Sequence, residues 1–208
     1  MNKSKLSINI LLVLSLIVVV IFAISVFSFS RKTKIYNFPE ITRQSPSLGN
    51  KKAKIQIIEF GDFQCPFCAE LNSLFAKLKN DYKDNIRIVW KDFPIYSIHA
   101  QALTAAEVAR CAQKQGQFWP MHDQIFANQK NLSSDLYLAL AEAIGLNKNK
   151  FVSCVNNHET LKLIEADLKE GTGLGVNGTP YFYVNNYLFT ELPTYEQLKK
   201  IINDELIK

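Results

Sequence analysis

The chain has 208 residues, 48 % of them hydrophobic, with 24 basic and 19 acidic side chains and a formal charge of +5. All of the excess lies in residues 1–34, where Lys3, Lys5, Arg31, Lys32 and Lys34 meet no acid, and the rest of the chain is neutral overall. A balanced body excludes a basic surface built for nucleic acid, and its length suits one domain with a proper core.

Residues 6–30 form a run of 25 without a charge, mostly Ile, Leu, Val and Phe. About 20 apolar residues cross a bilayer as a helix, so residues 1–34 are expected to be a membrane anchor with basic flanks. A cleaved secretory signal is the alternative. Its apolar stretch is normally only about 7–15 residues, and Ser28-Phe29-Ser30 is a poor cleavage site. Basic residues at both ends leave the orientation to other arguments; the short tail is expected inside and the domain outside. Four cysteines in an exported domain permit disulfide chemistry. Residues 35–50, with Pro39, Pro46 and Gly49 and no periodicity, read as a tether.

Residues 54–60, Ile-rich around Glu59, read as a buried strand. Gly61-Asp62-Phe63-Gln64 leads to Cys65-Pro66-Phe67-Cys68, and Leu71, Leu74, Phe75 and Leu78 follow at helical spacing. Pro66 suits a first helical position, where its missing N–H would be unpaired anyway. Residues 86–90 alternate as a second strand, stopped near Phe93-Pro94. Residues 97–170 hold no convincing strand. Residues 100–111, 118–127, 134–144 and 151–169 read as helices, punctuated by Gly116, Ser133-Ser134 and Gly145. Strands return after Gly171, Gly173 and Gly175. Residues 181–184 and 187–189 flank Asn185-Asn186 as a hairpin, and residues 195–206 close the chain as an amphipathic helix.

Cys65 and Cys68 are the most informative residues. Two thiols at this spacing at a helix start can form a small-ring disulfide and pass two electrons to or from other proteins. Taken alone, the spacing also fits a structural disulfide or half of a zinc site. Cys65, at the helix N-terminus, is placed to attack, because unpaired N–H groups and the helix dipole favour a thiolate there. Cys68, one turn further in, is placed to resolve. Glu59 is either a strand-edge residue facing water or a buried carboxylate that moves the Cys68 proton. His99, His122 and His158 read as surface or capping residues. Cys154 and His158, four apart, have metal-ligand spacing, but Cys111 is distant. The sequons at Asn131 and Asn177 read as chance matches.

The run Glu59-Phe60-Gly61-Asp62-Phe63-Gln64-Cys65-Pro66-Phe67-Cys68, with Gly175-Val176-Asn177-Gly178-Thr179-Pro180 far downstream, resembles the DsbA-like thiol:disulfide oxidoreductases. The resemblance is to their membrane-tethered Gram-positive form and covers about residues 45–206. It implies an α/β, thioredoxin-like fold with an inserted α-helical domain, preceded by an N-terminal transmembrane helix. Residues 51–96 and 171–208 would be the two parts of the thioredoxin-like domain, and residues 97–170 the insertion. It further implies Cys65 as nucleophile, Cys68 as resolving cysteine and Glu59 as buried acid. Pro180 would be a cis-proline that, with Thr179, Pro66 and Phe67, binds substrate; the alternative is an ordinary trans turn. Some family members carry a second disulfide in the helical block, here Cys111–Cys154. It would stabilise by roughly 4 kcal/mol in the chain-entropy model; free buried thiols or a second redox relay are the alternatives. No metal and no cofactor beyond the Cys65–Cys68 disulfide are implied. Phe67 stands where strongly oxidising members carry His, and Thr179 is also found in isomerases, so the reduction potential is left open.

The expected function is an extracytoplasmic, membrane-anchored thiol oxidase. It would donate its disulfide to exported proteins through a mixed disulfide. A quinone-linked membrane partner of the DsbB or VKOR type would reoxidise it. A monomer is expected, since no dimerisation segment is present. The competing readings are an isomerase or reductase kept reduced by a membrane electron donor, and a non-catalytic binding module.

Overall fold

The computed structural model describes residues 38–208, and the expected anchor lies outside the described residues. Among the described residues no helix is long and apolar enough to cross a membrane. In chain order the elements are β1 (Ser47–Gly49), β2 (Ile55–Gly61), α1 (Pro66–Tyr82), β3 (Ile86–Asp92), α2 (Ala102–Gln113), α3 (Phe118–Ala127), α4 (Ser134–Ala143), α5 (Lys148–Asn156), α6 (Leu161–Gly173), β4 (Tyr181–Val184), β5 (Tyr187–Phe189) and α7 (Tyr195–Ile207). The strands form one sheet in the order β1-β3-β2-β4-β5. The thioredoxin-like plan with a helical insertion is therefore present.

The sheet order follows from hydrophobicity. β2 buries Ile55, Ile57, Ile58 and Phe60 completely, on both faces. Such a strand belongs in the centre. It pairs parallel with β3 and antiparallel with β4. The parallel pairing needs a crossover, which α1 supplies. Asn185, at φ 48°, turns β4 into β5. Leu71, Phe75 and Leu78 of α1 and Leu198 and Ile202 of α7 pack with Ile55, Ile57 and Phe182 of the sheet.

Two expectations need correction. The tether is not loose along its described length. β1 lies within it and pairs antiparallel with β3, and Phe38 sets its ring against Tyr183 at 5.0 Å. A strand of three residues is too short to show a period. The helix expected at residues 151–169 is two helices, α5 and α6, broken after Asn156-Asn157 by His158 at φ 50°. Asn and His form helices weakly, yet the apolar spacing runs on across the break and hides it. α6 also continues through Gly171. A Cβ there would lie 2.8 Å from the Phe93 ring, so the close packing requires glycine.

The insertion has its own core, which includes Val108, Met121, Ile125, Phe151 and Ile164 and runs continuously into Phe63, Trp90, Cys65 and Cys68. Cys111 and Cys154 are bonded, with Cα atoms 5.8 Å apart, tying α2 to α5. Cys154 is thus unavailable as a metal ligand beside His158, whose Nδ1 instead meets Glu107 at 2.9 Å.

A buried ionic cluster joins the insertion to β3. Lys91 donates to Asp167 at 3.1 Å and to Glu170 at 2.7 Å. Arg110 bridges Asp92 and Asp167, and the Trp90 indole donates to Asp92 at 2.7 Å. Three carboxylates thus face two cations. Burial raises the Asp167 carboxyl to about 6, with Arg110 opposing.

Candidate active site

β2 delivers the site. It ends at Gly61, where a Cβ would lie 2.4 Å from the Trp90 ring. Asp62 then shapes the turn: its carboxylate accepts from the Gln64 amide at 2.7 Å and the Ile95 amide at 2.8 Å, and it meets His99 Nδ1 at 2.8 Å. Phe63 is buried against Trp90, His122 and Phe126. Cys65 is the N-cap residue of α1 and Pro66 its first helical residue. The amides of Cys68 and Ala69 donate to the Cys65 carbonyl at 3.2 and 3.3 Å. Cys65 and Cys68 stand here as two thiols.

The two thiols differ in electrostatic character. The Cys65 pKa is lowered to about 6, first by the Cys68 thiol donating to it. Burial opposes this, but Thr179 and the backbone at Phe67 and Cys68 add to the lowering. The Cys68 pKa is pushed well up by burial, its bond to Cys65 and the nearby negative charge of Glu59. At neutral pH Cys65 is mostly a thiolate, and Cys68 holds a proton.

Glu59 does not face water. It is 3 % exposed and lies within the central strand, opposite Trp90 on one side and Phe182 on the other. Its Oε1 has no hydrogen-bond partner among the described residues. Burial raises its pKa to about 8, with a bond to Cys68 pulling the other way. A carboxyl that titrates near neutrality beside a buried thiol can exchange a proton with it.

The Thr179-Pro180 bond is cis. The Thr179 carbonyl lies beside the cysteines and accepts from the Cys65 thiol at 3.1 Å. Pro66 is exposed, and Phe67 is 56 % exposed. The structure therefore brings Glu59, Cys65, Cys68, Thr179 and Pro180 together, with Pro66 and Phe67 at the rim. Cys111 and Cys154 serve elsewhere, inside the insertion.

Three supporting residues carry no sequence signal of their own. Gln129, beyond α3, donates to both the Phe63 and Cys65 carbonyls at 2.9 Å. Asp62 looks like an ordinary turn residue until its partners 33 and 37 positions away are seen. His122 was expected at the surface; it is 2 % exposed, among Phe63, Trp90, Phe118, Trp119 and Phe126. Its polar type masks its position on the apolar face of α3.

A thioredoxin family model matches residues 42–204. The chain belongs to the thioredoxin family. Its fold is that of solved thiol-disulfide exchange proteins, in keeping with the DsbA-like resemblance. The thioredoxin-like chain superposes on oxidised BdbD from Bacillus subtilis with TM-score 0.72 at 22 % identity, covering 80 % of this chain and 95 % of that one. For the thiol-disulfide exchange protein alpha-DsbA2 from Wolbachia pipientis the TM-score is 0.69 at 22 % identity, with 78 % and 87 % covered. The catalytic domain of ScsC from Proteus mirabilis gives 0.69 at 22 % identity, with 84 % and 93 % covered. In sequence, 137 residues are 35 % identical to the Na(+)/H(+) antiporter NhaA 1 of Salinispora arenicola, covering 66 % of this chain and 21 % of that protein. The chain spans about a fifth of the length of such relatives, and the match covers their thioredoxin-like domain.

Proposed function

We propose that this protein is an extracytoplasmic thiol:disulfide oxidoreductase that oxidises exported proteins. The observation that carries the reading is the asymmetry of the two thiols: Cys65 lowered to about 6, Cys68 raised beside a carboxyl held near 8. A stabilised Cys65 thiolate stabilises the reduced pair, which makes the disulfide the better oxidant. Starting from the Cys65–Cys68 disulfide, a substrate thiolate attacks Cys65 Sγ. Cys68 departs with the bonding electron pair and takes a proton from Glu59. A second substrate thiolate then attacks the substrate sulfur of the mixed disulfide, and Cys65 leaves as thiolate. Two electrons pass from the substrate dithiol to the cysteine pair, and a quinone-linked membrane partner of the DsbB or VKOR type removes them.

Substrate lies along Thr179-Pro180 as an added strand. Phe67, Tyr96 and Ile98 are exposed apolar side chains, and Ile95 and His99 tie the Tyr96–Ile98 segment to Asp62. Such a rim suits unfolded chains better than folded ones. Residues 6–30 hold the domain at the outer face of the membrane.

The test is the Cys68→Ala protein in cells. Substrates should accumulate as mixed disulfides on Cys65, and trapping of the natural protein should find its pair mainly oxidised. A mainly reduced pair would favour the isomerase or reductase reading; absence of adducts would favour a binding module.

A further inference from the structure

The helical insertion holds a cavity of its own. It has a volume of about 270 Å³ and lies between α2, α4 and α5. Its walls are mostly apolar, among them Val108 on α2 and Phe151, Val152 and Val155 on α5. None of the residues that line it carries a charge. Ser134 and Asn156 are exposed at its edge. Tyr137 of α4 also lines it, yet is only 2 % exposed. The Tyr137 hydroxyl is buried without a hydrogen-bond partner among the described residues, and no other lining side chain has such an atom.

A hydroxyl taken out of water and left unpaired is costly, so the proton of this one needs an acceptor. Water is a poor candidate. A buried water is held by about 2–4 polar groups, and Tyr137 alone is on offer inside the cavity. Apolar walls with a single polar anchor are the usual make-up of a small-molecule site, and such sites span about 300–1,000 Å³. This cavity falls just below that range, so its occupant is small. With no charge in the lining, a bound carboxylate or ammonium would stay unpaired. Burial pushes the Tyr137 phenol well above its ordinary pKa, so it stays protonated and able to donate. We propose that the cavity binds a small, neutral, mainly apolar molecule whose one carbonyl-type oxygen accepts a hydrogen bond from the Tyr137 hydroxyl.

Cys65, Cys68, Thr179 and Pro180 do not line this cavity. The site is therefore separate from the cysteine pair and independent of the function proposed for it. Of the three helices around it, α2 and α5 are already tied by Cys111–Cys154, and α4 is not. A molecule seated on Tyr137 fastens α4 to that pair. Because it binds the folded insertion only, it stabilises the protein by mass action.

The test uses the purified full-length protein and three molecules of similar size: acetophenone, ethylbenzene and benzoate. Acetophenone should shift the methyl NMR signals of Val108, Val152 and Val155 in a saturable way. Benzoate, which is charged, should bind far more weakly. Tyr137→Phe should weaken acetophenone about 2–10-fold, the size of one net hydrogen bond, and leave ethylbenzene, which has no acceptor, unchanged. Val152→Phe fills the cavity and should abolish binding of both. The infrared carbonyl stretch of bound acetophenone should lie lower than in an apolar solvent, a readout that needs no variant to fold. Absence of a saturable shift overturns the site. A carbonyl stretch like that in apolar solvent, or an acetophenone affinity unmoved by Tyr137→Phe, overturns the role of the hydroxyl and with it the proposal. Tighter binding of benzoate than of acetophenone overturns the neutral class.

Discussion

Two groups of buried charges lie close together along the sheet and are satisfied to different degrees. At the junction of β3 with the insertion, Lys91, Asp92, Arg110, Asp167 and Glu170 pair with one another. At the cysteine site, Glu59 is as deeply buried but has one oxygen without a protein partner. Burial raises both Asp167 and Glu59, yet Arg110 and Lys91 hold the first to about 6, while the second reaches about 8. The paired cluster fastens two parts of the fold. The unpaired carboxyl keeps a proton that can be given away. Partnering, more than burial, distinguishes a structural charge from a reactive one.

The largest expected effect breaks the paired side. Arg110→Met leaves Asp92 and Asp167 buried without their shared cation, and removing one partner of a buried pair costs about 3–5 kcal/mol. Denaturant unfolding should show that loss, with the cysteine chemistry of the surviving folded protein unchanged. A neutral result would mean that water already reaches the cluster.

The next effect has the opposite sign. Because the folded-state pKa of Glu59 is raised from 4.5 to about 8, the folded protein keeps a proton that the unfolded chain releases in that window. The Glu59 contribution to the stability of the reduced protein should therefore fall as pH rises from about 4.5 to about 8, while Cys65, lowered from 9.0 to about 6, contributes the opposite slope above about pH 6. Glu59→Gln should remove the Glu59 part of that slope and stabilise by roughly 4 kcal/mol at pH 8, while slowing exchange. Unfolding measured at several pH values checks both parts; an unchanged slope would place the Glu59 pKa near its ordinary value.

The smallest effect tests how the insertion supports the site. Gln129→Ala removes two donors to the cysteine loop, and a net hydrogen bond is worth about 0.5–1.5 kcal/mol. Stability should drop by about 1–2 kcal/mol, and the alkylation midpoint of Cys65 should stay near 6, since the loop carbonyls do not contact its sulfur. A large shift in that midpoint would make Gln129 part of the thiolate's environment.

The central strand, the Cys65–Cys68 loop, the crossover helix and the β4–β5 hairpin could all be read along the chain, because each is specified by neighbours in sequence. Ile55, Ile57 and Ile58 require burial, Pro66 starts a helix, and Asn185-Asn186 turns a hairpin. β1 could not be read, since three residues have no period and gain a partner only when β3 is present. The break at His158 was masked by apolar spacing that continues from α5 into α6.

The sequence by itself determined which atoms can react: two thiols at a helix start, a carboxyl six residues before them, and a proline far downstream. Only the tertiary structure decided their environments. It placed Glu59 in the centre of the sheet, where desolvation raises its pKa. It also buried both Cys65 and Cys68, set Asp167 against Arg110, and opened a cavity beside Trp119 and His122. Desolvation and partnering depend on groups from distant parts of the chain, so they come into being only when the chain folds.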